Sequence, residues 1–315
     1  MQGESNKKQI NYIDDEIDLH EIFIVLLQKK WMIFSITSLV TLIGVFYSIS
    51  LPNIYVSKAI LAPVNSASSI SSSIRSYSGI AGLAGINLPS ESDESNTLQA
   101  IQKLSSLSFF EDNILTNIFL PDLMAIDSWN SSTNTLVYDE NIFKDSTNAW
   151  VREYSYPRKQ IPSAQESFEV FINNHFNISG DKSTGFITLS IRHQSPFIAK
   201  QWAELIINEV NNFYRQKDKL ESEKAVIFLN KQISMTGLSE IKQVIAELLQ
   251  EETQKLTLIE ANEFYVFDYI DPPAVMEKKS EPKRSLIFLI SLFIGGLVSI
   301  VFVLIRYFFM RPKDS

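Results

Sequence analysis

Two uncharged apolar stretches constrain this chain more than any other feature. Residues 31–51 (WMIFSITSLVTLIGVFYSISL) and 285–305 (SLIFLISLFIGGLVSIVFVLI) contain no Asp, Glu, Lys or Arg. At 1.5 Å per residue each makes a helix of roughly 30 Å, the thickness of a bilayer's hydrocarbon core. We therefore expect two transmembrane helices. A buried helix of a soluble core is the alternative, but such helices are usually shorter and interrupted by polar residues. A cleaved signal peptide would have a shorter apolar run nearer the N-terminus, so the first stretch reads as a retained anchor.

Two spans put both chain ends on one side. Lys7, Lys8, Lys29 and Lys30 before the first span, with Arg306, Arg311 and Lys313 after the second, make that side the cytoplasm. Lys278, Lys279, Lys283 and Arg284 oppose this, but they end a long loop, where the bias is weak. The expected organisation is a cytoplasmic segment 1–30, a transmembrane helix 31–51, an outer domain 52–284, a second transmembrane helix 285–305 and a cytoplasmic tail 306–315. Because only RYFFMRPKDS follows the second span, the activity is expected in the outer domain.

A formal net charge of −8 offers no basic footprint, so nucleic acid is not an expected partner. With no cysteine there is no disulfide, thiol catalysis or thiolate-bound metal. His20, His175 and His193 are far apart in sequence and none pairs with another at metal-ligand spacing, so each is expected to be a surface or core residue. No catalytic, cofactor-binding or metal-binding constellation emerges, and no cofactor is expected.

Before the first span, Leu19, Ile22, Phe23 and Leu26 recur at helical spacing behind the carboxylates of Asp14, Asp15, Glu16 and Asp18. A short separate helix and a plain continuation of the span are both compatible with this. Residues 54–63 (IYVSKAILAP) predict a strand. Residues 65–95 are rich in Ser and Gly. Gly79, Gly82 and Gly85 do not match a phosphate-binding fingerprint, and the stretch reads as a loop. Helix is expected from Thr97, with a second start at the Ser108/Glu111 capping box, ending before Pro121. Another capping box, Ser163/Glu166, begins a helix carrying Phe168, Phe171 and Ile172 and leading through Phe176 and Ile178 to the turn GDKSTG. Residues 186–193 (FITLSIRH) alternate, predicting a strand with Ile187, Leu189 and Ile191 on one face and a wet opposite face. Ser195 and Pro196 then supply an N-cap and a first-turn proline for a helix that can persist to Met235 and break at Gly237, with a return helix over 239–262. Residues 264–270 (FYVFDYI) read as a strand rejoining the sheet. The outer domain thus divides into a base (52–194 and 263–271), a long helical region (195–262) and a collar (271–284) stiffened by Pro272, Pro273 and Pro282. The fold class is α+β, with a long extended helical hairpin.

The hairpin is too long for a small base to bury, and copies of the chain are the simplest cover for its apolar positions, so a homo-oligomer is expected. Ser291, Gly295 and Ser299 lie four apart on one face of the second span, a candidate membrane helix contact. In residues 122–162, Trp129, Trp150, Tyr154 and Tyr156 are candidate glycan contacts; aromatic anchoring of an irregular segment onto a core is the competing reading.

The order of segments resembles the Wzz family of polysaccharide chain-length determinants, the polysaccharide co-polymerases. The likeness is carried by DDEIDLHEIF, NIYVSKAILAP, GIAGLAGINLPSES, TGFITLSIRHQSPFIAKQWAELIINEVN, EANEFYVFDYIDPPAV and KKSEPKRSLI. In the collar Met276 and Ser280 stand where the family pattern often has further prolines. The resemblance implies an inner-membrane protein with a periplasmic α+β domain, assembled into a ring, commonly an octamer. It implies no enzymatic activity but control of the modal length of a lipid-linked polysaccharide such as O-antigen of lipopolysaccharide, in concert with an integral-membrane glycan polymerase. Absence of a P-loop motif separates the chain from related tyrosine autokinases. Alternatives are a structural adaptor for capsule or exopolysaccharide export, and a membrane sensor ectodomain.

Overall fold

The computed structural model describes residues 19–64, 93–181 and 183–310. The acidic leader and the glycine loop around Gly79, Gly82 and Gly85 lie outside the described residues. Two compact units divide the chain, one of residues 1–52 and 281–315, the other of residues 53–280.

In the first unit, α1 (Leu19–Gln28) precedes α2 (Lys30–Ser50). The helix before the apolar run is separate from it, because the chain leaves helical geometry at Lys29 (φ −99°, ψ 19°). The C-terminal helix, Arg284–Met310, is numbered α9 in chain order. Both α2 and α9 are long and apolar enough to cross a membrane, and they pack against each other within this unit.

The second unit is built on a four-stranded antiparallel sheet, in the order β6 (Phe176–Gly180), β7 (Ile187–His193), β1 (Tyr55–Pro63) and β8 (Phe267–Asp271). The predicted strand after the first apolar run is β1 (Tyr55–Pro63). It lies at the centre because its alternate residues Ser57, Ala59 and Leu61 are buried while Lys58 is exposed. It pairs with β7 (Ile187–His193), matching Ala59 to Leu189 and Leu61 to Ile187. On its other side it pairs with β8 (Phe267–Asp271), which rejoins the sheet after the helical hairpin as expected. The far face of β7 is less wet than its alternation predicts, since Ser190 is also buried.

Between β1 and β7 several sequence expectations are corrected. After α3 (Asp93–Leu104), the next helical start is capped by Ser106, whose Oγ accepts the Phe109 N–H at 3.3 Å. Ser108 does not cap; its Oγ accepts from Lys103 Nζ. Ser106 has the extended backbone a cap needs (φ −102°, ψ 143°). The helix α4 (Leu107–Phe109) continues as a π turn, Phe110–Ile114, and Pro121 opens α5 (Leu120–Met124), where its missing N–H costs no helical bond. The hardest stretch to read forms two small hairpins, β2 (Ile126–Asn130) with β3 (Thr135–Tyr138), and β4 (Phe143–Lys144) with β5 (Ala149–Trp150). The Ser163 cap holds, accepting from Glu166 N–H at 3.2 Å and opening α6 (Ala164–Val170). Phe176 and Ile178, however, are strand residues: β6 (Phe176–Gly180) follows a π turn and pairs Phe176 with Ile191 and Ile178 with Leu189. Their spacing of two, not helical spacing, was the relevant period.

Across this sheet lies α7 (Pro196–Met235), unbroken over its whole length. It ends where Gly237 interrupts the pattern, and α8 (Ser239–Ala261) returns beside it. Trp202, Ile206, Ile207 and Val210 from α7 join Leu61, Leu189, Ile191, Phe109, Phe110, Phe171 and Phe267 in one core. Asn211, buried at the sheet, fixes the return strand: its Oδ1 accepts the Val266 and Phe267 N–H groups at 2.8 and 2.9 Å, and its Nδ2 donates to the Phe267 carbonyl at 3.0 Å. A buried amide satisfied on both ends sets register as well as stability. Arg215 closes α8 by donating to the carbonyls of Asn262 and Glu263, where the helix dipole is negative.

Candidate functional site

Small side chains govern the apolar pair. Ser291, Gly295 and Ser299 of α9 all face α2 of the same chain. A Cβ on Gly295 would lie 3.1 Å from the Val40 Cβ and 3.2 Å from the Thr37 carbonyl oxygen; one on Gly44 would lie 2.0 Å from Ser291 Oγ. Thr37 Oγ1 donates to Ser299 Oγ at 3.2 Å. The hydroxyls also bond within their helices, Ser291 to the Ile287 carbonyl and Ser299 to that of Gly296, which satisfies them in apolar surroundings. Exposed on the remaining surface of the pair are Phe34, Leu42, Phe46, Phe293, Val301 and Phe302.

The collar residues Pro272 and Pro273 follow β8 in a stretch with no helix or strand up to Ser280, and Pro273 is buried. This stretch runs alongside the start of β1. Ser57 Oγ donates to the Ala274 carbonyl at 2.9 Å, the Ser280 N–H to the Ile54 carbonyl at 2.8 Å, and Lys279 Nζ to Asn53 Oδ1 at 2.8 Å. Pro282 belongs to the other unit, and its carbonyl accepts the N–H of Arg284 at the start of α9.

The four candidate aromatics separate into two kinds. Trp129 packs edge-on to Tyr55 at 5.4 Å and against Phe197, and its Nε1 donates to Asn134 Oδ1. Trp150 packs on Phe143 at 5.3 Å. Tyr154 and Tyr156 are exposed, Tyr156 almost completely at 96%. Their segment is held by Arg152, whose guanidinium pairs with both carboxylate oxygens of Glu166 and donates to the carbonyls of Lys159 and Gln160. The guanidinium fork thus binds the carboxylate in bidentate fashion and two carbonyls besides.

Sequence spacing missed a cluster at the end of β7. His175 and His193, separated in sequence, lie with ring centroids 5.7 Å apart, and Trp202 packs against both at 5.6 and 5.0 Å. His193 is buried. Its Nδ1 accepts the Ser195 N–H at 2.9 Å, so its Nε2 carries the proton and donates to the Asp122 carbonyl at 3.1 Å. Ser195 thus occupies the N-cap of α7 without a side-chain cap. Burial, reinforced by the neighbouring His175, pushes the His193 pKa down to about 4. Asp122 turns its carboxylate to the Tyr138 hydroxyl at 2.6 Å, and burial raises its pKa. The signal in the sequence was parity: His193 continues the inward series Ile187, Leu189, Ile191. No group of three or more His, Cys, Asp or Glu suited to a metal occurs among the described residues.

Family models match segments toward both ends of the chain. A Wzz family model, "Chain length determinant protein", matches residues 15–120. A second, GNVR, "G-rich domain on putative tyrosine kinase", matches residues 239–308. Among solved structures, a "full-length bacterial polysaccharide co-polymerase" is similar at 12% identity and TM-score 0.42, covering 95% of this chain and 100% of that one. A fragment of WzzB, a polysaccharide co-polymerase from Salmonella Typhimurium, is similar at 14% identity and TM-score 0.32, covering 73% of this chain and all of the fragment. No match is found among curated proteins. The chain thus carries a Wzz chain-length-determinant domain over its first third and a GNVR segment that runs from the return helix α8 into the second apolar helix.

Proposed function

We propose that this chain is a non-catalytic regulator of polysaccharide chain length, setting the modal length of O-antigen or a related lipid-linked glycan. It sits in the bacterial inner membrane with α2 and α9 as anchors, residues 52–284 in the periplasm and both termini in the cytoplasm. It works as a ring-shaped homo-oligomer, an octamer, beside the integral-membrane glycan polymerase, and takes no cofactor. The Wzz match over residues 15–120 carries this reading.

Two features support assembly. The α7–α8 hairpin and its turn expose Ile227, Phe228, Met235, Leu238, Ile241 and Val244, apolar side chains that a second copy of the hairpin would cover. The small-residue seam of the anchors is already filled by α2 and α9, so a polymerase would meet the outer apolar faces of that pair. Deleting the gene and resolving the surface polysaccharide on a gel tests the function: the cluster of preferred lengths should disperse, and an unchanged ladder would refute the proposal.

A further inference from the structure

The edge of the sheet at which β1 begins gathers aromatic side chains and lacks charge. Tyr55 opens β1, Trp129 packs edge-on against it with ring centroids 5.4 Å apart, and Phe197, in the first turn of α7, lies 6.4 Å from the same indole. Phe197 remains 47% exposed. Residues 128–138 (SWNSSTNTLVY) and 194–199 (QSPFIA), which carry these rings, contain no Asp, Glu, Lys or Arg. The hairpin tip, residues 130–135, is exposed throughout and offers hydroxyls and amides alone. Trp129 Nε1 donates to Asn134 Oδ1 at 3.1 Å, so the indole turns its N–H to that tip and its rings to the aromatic neighbours. Half-buried Trp and Tyr beside uncharged polar groups are the composition of the headgroup level of a bilayer, where amphipathic rings concentrate.

Chain length limits how far this edge can lie from the apolar helices. Four residues lead from Leu51, the last of the first apolar run, to Tyr55, and a fully extended chain covers about 14 Å over that distance. A second tether acts at the same edge. The Ser280 N–H donates to the Ile54 carbonyl, and the second apolar run begins at Ser285, five residues on and at most about 18 Å away. Two short tethers keep the edge within reach of the headgroup layer. Core anchoring accounts for the contacts of Trp129 with Tyr55 and Phe197, but not for a bare tip without a single charge.

We propose that the β2–β3 hairpin, with Tyr55 and Phe197, is an interfacial seat that rests on phospholipid headgroups. This builds on the reading of α2 and α9 as membrane anchors and adds to it a lipid contact made by the outer unit.

The test uses the full chain reconstituted into vesicles of phosphatidylethanolamine and phosphatidylglycerol, whose acyl chains are brominated near the headgroup or near the bilayer centre. Bromine quenches tryptophan at short range, so difference spectra between wild type and Trp31→Phe or Trp129→Phe report each indole separately. The Trp129 component should lose about half its intensity to shallow bromine and less to deep bromine. Because the chain has no cysteine, Ser132→Cys gives a single site for an environment-sensitive dye at the hairpin tip, and Ser239→Cys one beyond the far end of α7, roughly 60 Å from Phe197. The dye at position 132 should be blue-shifted and quenched by shallow bromine, and that at position 239 neither; this pair decides the matter if Trp129→Phe fails to fold. Absence of shallow quenching at either Trp129 or position 132, with Trp31 still quenched, overturns the proposal and leaves the anchors standing. Quenching of Trp129 that is as strong from the bilayer centre overturns it too. Trp31 unquenched alongside them removes the anchor reading itself, and this proposal with it.

Discussion

The two halves of α7 share one continuous helix and meet different surroundings. From Pro196 to Asn211 the buried positions, Pro196, Ala199, Trp202, Ala203, Ile206, Ile207, Val210 and Asn211, recur at three- and four-residue spacing on the side that meets the sheet. From Asn212 to Met235 Ser222 alone is buried, while Ile227 and Phe228 are 70% and 59% exposed. Backbone hydrogen bonding is the same throughout, so helix formation does not distinguish the halves. Available partners do. The inner half has a sheet beneath it; beyond Phe213 and Tyr214, which still pack against the core, the outer half runs beside α8 and leaves side chains such as Ile227 and Phe228 exposed. A helix this long therefore holds two energetic roles: inner residues stabilise the fold, and outer ones offer unspent apolar area for association.

The sharpest break of this contrast is at Trp202. Trp202→Ala removes an indole packed on His175, His193 and Phe171 and should cost about 3–5 kcal/mol. Chemical denaturation followed by near-ultraviolet circular dichroism measures it, and a loss below about 1 kcal/mol would deny the inner half its core role.

A somewhat smaller effect is expected from acid. His193 is neutral in the fold, with a pKa of about 4 against an ordinary 6.5. Between those values the unfolded chain binds the additional proton. Stability is therefore complete above the unfolded value, falls as the pH drops, and has lost roughly 3 kcal/mol once the pH is below the folded value. Asp122, whose pKa is raised by burial, works in the opposite direction, so the informative quantity is a difference. Denaturant midpoints of wild type and His193→Gln should converge as the pH is lowered; parallel curves would exclude His193 as the acid-sensitive group.

At the outer half the expected cost to the fold is smallest. Ile227→Asp should change unfolding free energy by less than about 0.5 kcal/mol, as at other exposed positions. The same variant should lower the assembled mass measured by light scattering in detergent. Unfolding of the monomer instead would show that the outer half belongs to the core.

Much of the fold was legible because its signals are local. The two apolar runs, the alternation in β1 and β7, and the Gly237 break each reside in a few neighbouring residues. β6 was misread because a run of five residues with two apolar positions is ambiguous in period until a partner strand is present. The hairpins of residues 126–150 were missed because their short strands are held by aromatic contacts such as Phe143 with Trp150 and Tyr138, not by a long alternating pattern. Site chemistry was less legible still. His175 and His193 meet only through the register of β6 and β7, and Arg152 reaches Glu166 only because the chain between them folds back.

Hydropathy and periodicity by themselves determined two long apolar helices, a β-containing body between them and a helix exceeding what that body can bury. These follow from how nearby side chains partition between water and apolar surroundings, which needs no knowledge of distant residues. Tertiary structure alone decided that Ser291, Gly295 and Ser299 receive the chain's own first apolar helix, that Trp129 and Trp150 are packed while Tyr156 is bare, and that two distant histidines border one cleft. Such outcomes depend on which remote surface fills a given space, and close packing chooses that surface only when the whole core forms.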